Sequence, residues 1–263
     1  MVELGVSPNL CDDCGWTPIH RAIVNDHKHV VLRLIDLDAD VDVADGDGWR
    51  AIHNSSLNGD IELVEKLLSC GADANQPTQD GRCAIHYASR TGKLDVLDAL
   101  IGANVELNVA DQDGLTPVHL AGASCEKGSL EKLVAAGADI DAKSNNGFSC
   151  VHHACEWMRP TAVQFILKLG ELGANMNQRD QYDRCPIHMI AGGPRIDILT
   201  ALLDAKADVN AADGNGVLPI NYASQTDMWQ LMIDRGAQQP PIPPDSTPVP
   251  SHTGTSSNNF PSS

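Results

Sequence analysis

Six histidines recur along this 263-residue chain, at His20, His53, His86, His119, His152 and His188, the first five 33 residues apart and the last after 36. Five residues before them stand Gly15, Gly48, Gly81, Gly114 and Gly147, with Asp183 in that place before His188. A seventh unit keeps its glycine, Gly216, and puts Asn221 where the histidine belongs. Self-similarity at one period of this size marks stacked supersecondary units, each burying its apolar face against its neighbours. The core of such a chain grows lengthwise. The same spacing strings the histidines out along the stack, which argues against a shared active site or metal centre.

The aligned units show what one unit is made of. They read Gly15-Trp-Thr-Pro-Ile-His20-Arg-Ala22, Gly48-Trp-Arg-Ala-Ile-His53-Asn-Ser55, Gly81-Arg-Cys-Ala-Ile-His86-Tyr-Ala88 and onward in register. The glycine supplies a turn that calls for positive φ. Thr17 and Pro18 form an N-cap and a first-turn proline, so a short helix starts there. Ala22, Ala88 and Ala121 keep that helix slim for close neighbours. A second helix follows from apolar pairs such as Leu63, Val64, Leu67 and Leu68 on one face. It stops at a left-handed residue: Gly71, Gly137 or Gly173, with Asp38, Asn104 and Lys206 as replacements. An extended segment such as Ala72-Asp73-Ala74-Asn75 then leads into the next turn. The expected fold is an all-α solenoid of stacked helix-turn-helix units with projecting β-hairpin loops.

These motifs resemble the ankyrin repeat family, whose units carry G-x-T-P-L-H-x-A and later L-L-x-x-G-A-D-V-N. Thr17-Pro18-Ile19-His20, Thr116-Pro117-Val118-His119 and Leu67 through Asn75 carry the likeness, which spans about residues 2 to 237. The resemblance implies structural histidines that tie each helix start to neighbouring loops. It implies a protein partner held on the concave side, with the residue after the turn glycine facing it. Here that residue is Trp16, Trp49, Arg82, Leu115, Phe148, Arg184 or Val217, and the residue after the histidine adds Arg21, Tyr87, His153, Met189 and Tyr222. Two tryptophans and a phenylalanine at one position, in a chain with ten aromatics, are over-represented, as contacts for a partner or as packing against adjacent hairpins. Aromatic and arginine side chains are also what interface hot spots favour. The resemblance further makes Asn75, Asn108, Asn177 and Asn210 candidates for asparaginyl hydroxylation. Tip residues Asp45, Asp47, Asp80, Asp111, Asp113, Asp180 and Asp213 add negative charge, part of it spent on capping turns.

The register divides the chain into a partial unit at 1–11 and seven units at 12–44, 45–77, 78–110, 111–143, 144–179, 180–212 and 213–237. A Pro/Ser/Thr-rich tail without apolar period, 238–263, reads as disordered. Its Pro240-Pro241-Ile242-Pro243-Pro244 run could adopt polyproline II. The first residues, Met1 to Leu4, match the end of a second helix, as if a preceding unit were missing. The fifth unit is three residues longer, and Glu171-Leu172-Gly173 after a helix ending at Gly170 is the expected place of the insertion. The seventh is three residues short near Thr226.

A formal charge of −17 argues against a nucleic-acid partner, since phosphates are met by clustered Lys and Arg. No run of residues reads as a membrane span or secretory leader. The eight cysteines show no disulfide framework, Cys83, Cys150 and Cys185 stand where sister units have Thr or Pro, and Cys11 and Cys14 lack a second pair for zinc. Reduced thiols point to an intracellular place, cytoplasmic or nuclear. No nucleophile–base motif or phosphate loop occurs. The expectation is a non-enzymatic scaffold or adaptor without cofactor, monomeric or within a hetero-complex. The alternative is the regulatory repeat region of a larger enzyme or channel, truncated at its amino end.

Overall fold

The computed structural model describes residues 7–157 and 159–238. The half-helix expected at Met1 to Leu4 and the tail from Gln239 onward, with its proline run, lie outside them. Helices come in pairs: α1 (Pro18–Val24) with α2 (Lys28–Ile35), α3 (Ala51–Asn58) with α4 (Ile61–Ser69), and α5 (Ala84–Thr91) with α6 (Leu94–Gly102). Then follow α7 (Pro117–Ser124) with α8 (Lys127–Ala135), α9 (Cys150–Glu156) with α10 (Ala162–Glu171), and α11 (Pro186–Ala191) with α12 (Ile196–Asp204). A 3₁₀ turn, Pro219–Tyr222, and α13 (Thr226–Asp234) close the array.

Helices of six to ten residues are too short to persist alone, so tertiary burial must hold them. First helices α1, α3, α5, α7, α9 and α11 stack into one layer, and α4, α6, α8, α10, α12 and α13 into a second. Val64, Leu97, Leu130, Ile166 and Leu199 repeat at one wholly buried position, and Leu67, Leu100, Leu133, Leu169 and Leu202 at another. Each such side chain contributes about 1.5–3 kcal/mol. Of the other second-helix residues on that face, Leu63, Val96 and Ala162 are buried with them, whereas Leu68 and Ile101 are half-buried and cover the margin of this line.

This core relocates the insertion. Leu130 and Ile166 stand 36 apart, as do Leu133 and Leu169, so the extra residues precede α10. They lengthen the connection between α9 and α10, where the unit before has only Cys125 and Glu126. Helix α10 runs through Gly170 instead of ending there. Gly170 serves close packing: a Cβ on it would meet that of Ala205 at 2.8 Å.

The expected left-handed stops are all present, with φ of 58° at Asp38, 57° at Asn104 and 70° at Lys206 beside Gly71, Gly137 and Gly173. The projecting hairpins are tighter than expected. Each is a turn closed by bonds such as Asp45 N–H to Trp49 O (2.8 Å) and Gly48 N–H to Asp45 O (3.0 Å). With arms this short no strand forms among the described residues.

Candidate partner-binding site

Each periodic histidine is buried and bonds through both ring nitrogens. Nδ1 accepts the backbone N–H of the residue that opens its own helix, at 3.2 Å from Thr17, 2.9 Å from Arg50 and 3.0 Å from Thr116. Nε2 donates to a backbone carbonyl: His20 to Trp49 (3.0 Å), His86 to Leu115 (3.1 Å), His119 to Phe148 (3.0 Å) and His152 to Arg184 (3.2 Å). A backbone N–H can only donate and a carbonyl only accept, so the neutral Nε2–H tautomer is the one that fits both. Burial pushes His53, His119 and His152 down to about 4, and holds His86 and His188 below the usual range. The carbonyl each one grips belongs to the next unit's variable residue after the turn glycine. His53 is the exception and grips Gln76. In the last unit Asn221 keeps only the inner half, accepting the Leu218 N–H at 3.3 Å.

A second tie runs through the asparagine positions. The side-chain oxygens of Asn75, Asn108, Asn177 and Asn210 accept the backbone N–H of Glu106, Asp139, Asp208 and Gln238, at 2.7–2.9 Å. Asn9, Asp42 and Asp141 do the same, each for the unit that follows. The candidate hydroxylation residues therefore stitch units together. A third tie joins hairpin tips, as in Gln79 N–H to Asp47 O (2.8 Å) and Gln112 N–H to Asp80 O (3.0 Å). It demands bare backbone: a Cβ on Gly48 would lie 2.9 Å from Gln79 N. Where Asp183 replaces the turn glycine, at φ 56°, the facing tip residue is Gly214, which makes room for the Asp183 Cβ.

On this frame the predicted contact residues separate into two kinds. Trp16, Trp49, Leu115, Phe148 and Val217 are half-buried. Arg21 lies over the Trp16 ring at 4.4 Å, Trp49 meets Tyr87 at 4.7 Å between centroids, and Phe148 stacks on His152 at 5.1 Å. Each ring thus touches a neighbouring side chain and keeps one part open. Arg82 and Tyr87 are turned inward. Arg82 pairs with the buried Asp111 at 2.9 Å, and Tyr87, 4% exposed, sets its hydroxyl against Thr78. Arg184 pairs with Asp180 at 2.8 Å, and the Tyr222 hydroxyl donates to Asp213 at 2.6 Å. The acids Asp111, Asp180 and Asp213 are buried, so the negative charge expected from them is spent inside, while Asp47, Asp80 and Asp113 stay exposed.

Two further residues flank this line: Tyr182, which the sequence did not mark as a contact, and His153, which its place after the histidine did. Tyr182 is 62% exposed at a tip where five other units carry Asp or Asn and the first carries Cys14, with Arg184 at 5.0 Å over its ring. His153 packs edge-on to Phe148 and His119, and its Nε2 has no hydrogen-bond partner among the described residues. No group of three or more His, Cys, Asp or Glu among the described residues converges as a metal site. No helix among them is long and apolar enough to cross a membrane.

Residues 1–78, 52–144, 85–180 and 123–213 each match the profile of the family described as "Ankyrin repeats (3 copies)". No curated protein matches the chain. Among solved structures, the human ASB11 ankyrin repeat domain superposes with a TM-score of 0.75 at 22% identity, covering 86% of this chain and 100% of that one. The ankyrin repeat domain of Bcl-3, described as a unique member of the IkappaB protein family, gives 0.73 at 23%, covering 84% and 100%. At such identities the likeness is one of fold.

Proposed function

The chain belongs to the ankyrin repeat family, and from that premise we propose that it is a non-enzymatic scaffold or adaptor. It holds a segment of another protein along the hairpins and first helices, on the concave side. The observation that supports this reading is the line of half-buried Trp16, Trp49 and Phe148, each ring in contact with a neighbouring side chain and left partly open. Seated aromatics lose little side-chain freedom on binding, which is why they serve as anchors. Leu115, Tyr182 and Arg184 extend the line. Arg82 and Tyr87 act from within, by bracing Asp111 and Trp49.

The test is affinity capture from a lysate of the source organism, with mass spectrometry, followed by binding assays on the triple variant Trp16→Ala, Trp49→Ala, Phe148→Ala. Affinity for a captured partner should fall at least about 100-fold, or about 3 kcal/mol, with the helical circular dichroism retained. Equal binding by the triple variant would place the partner elsewhere.

A further inference from the structure

Every unit opens its hairpin with a short polar residue: Asp12, Asp45, Thr78, Asp111, Ser144, Asp180 and Asp213. One oxygen of each caps its own turn. In Asp45, Oδ1 accepts the N–H of Asp47 at 3.0 Å and of Trp49 at 2.8 Å. The second carboxylate oxygen is where the units differ. Asp12 Oδ2 receives Arg21 at 2.6 Å, Asp111 Oδ2 receives Arg82 at 2.9 Å, Asp180 Oδ2 receives Arg184 at 2.8 Å, and Asp213 Oδ2 receives the Tyr222 hydroxyl at 2.6 Å. Asp45 Oδ2 receives nothing among the described residues.

The reason can be read off position by position. Sister units reach the second oxygen by three routes: a residue nine positions later, one four positions later, or one 29 positions earlier. From Asp45 those three places hold Asn54, Trp49 and Trp16. None of them is a cation, and no hydrogen bond or ion pair among the described residues joins any of the three to the free oxygen. Among the described residues Asp45 is thus the one hairpin-opening carboxylate whose second oxygen lacks an internal donor, and two of the three places that could have supplied one hold the tryptophans of the proposed groove. A half-buried carboxylate beside aromatic faces suits a guanidinium or ammonium group, through charge-assisted hydrogen bonds and cation–π contact.

We propose that Asp45, framed by Trp16, Trp49 and Asn54, is a receptor for an arginine or lysine side chain of the bound protein segment. The inference rests on the groove reading above and adds the chemistry of its occupant. The partner's cation takes the place that Arg21, Arg82 and Arg184 fill elsewhere in the same chain.

The test pans a phage-displayed library of random 12-residue peptides against the full chain, then measures affinities of one selected peptide and its Arg→Gln analogue. Selected peptides should share a basic residue. Asp45→Asn, which keeps the turn-capping oxygen, should weaken the arginine peptide about tenfold and leave the glutamine analogue unchanged. Asn54→Arg, which copies the Arg21–Asp12 pair from within, should weaken it likewise while raising the melting temperature. Peptides that need Trp16 and Trp49 but carry no basic residue, or that ignore Asp45→Asn, would overturn the receptor and leave the groove standing. Should no peptide depend on the tryptophans, the groove reading falls and the receptor with it.

Discussion

Along its hairpin edge the array is tied from unit to unit by three kinds of bond, whereas along the edge of turns between paired helices the ties are scattered. On the hairpin edge the histidine Nε2, the Asn or Asp side-chain oxygen and the tip backbone each recur at the period of the chain. On the turn edge stand isolated contacts such as Arg159 to Ala123 O (2.8 Å) and Ser224 to Gly192 O (3.1 Å). Both changes of unit length fall on the turn edge, the insertion between α9 and α10 and the shortening between Tyr222 and Thr226. An extra residue among the hairpins would put every tie of that junction out of register. Between helices it lengthens a loop.

Acid should attack this difference most strongly. The unfolded chain's histidines titrate near 6.5, while folded His53, His119 and His152 titrate near 4. Between those values the unfolded state takes up protons that the native state refuses. Stability is therefore complete above pH 6.5 and lost as the pH falls toward 4, by on the order of 1–3 kcal/mol per histidine. Urea midpoints taken from pH 7 to pH 4.5 should fall steadily, and hydrogen exchange should accelerate first at the hairpin edge. A flat profile over that window would mean the histidines are not held neutral.

A glycine pair sharpens the comparison by about half that effect. Gly48 and Gly216 share a left-handed φ, 80° and 76°, but only Gly48 has the next hairpin against it. Gly48→Ala should cost about 3 kcal/mol, part strain and part displaced neighbour, and Gly216→Ala only about 1 kcal/mol. Equal losses in chemical denaturation would show that backbone strain alone sets the requirement.

The smallest effect is a gain. Lys206 sits at φ 70° where four other units carry glycine, so Lys206→Gly should stabilise by about 0.5–1 kcal/mol, read as a higher urea midpoint.

Much of this was legible beforehand because it depends on local conformation. A positive φ favours Gly, Asn or Asp wherever it falls, so Gly15 to Gly216, Asp38, Asn104 and Asp183 declare themselves by type and period. The misplaced insertion has an equally local cause. Gly170 and Gly173 both read as helix stops, and only the buried spacing of Leu133 and Leu169 decides between them. Bonds between units were hidden. Nothing in the type of Asn108 says that its oxygen meets a backbone N–H 31 residues on, nor in Arg82 that it turns in to Asp111. Tyr182 was masked by occupying a position that its sisters fill with turn residues.

The exchange at the sixth junction has a consequence for how such a chain can be rebuilt. Asp183 occupies a turn that is glycine in every other unit, and Gly214 across the boundary supplies the missing room. Unit six therefore cannot be copied or transplanted at will: placed before a tip bearing Gln or Asn, its aspartate would crowd the newcomer. It must travel with the opening of unit seven or be set before the one other tip that bears glycine, Gly46 of unit two. In a chain of look-alike modules, the piece that can be cut and moved is bounded within the units, not between them.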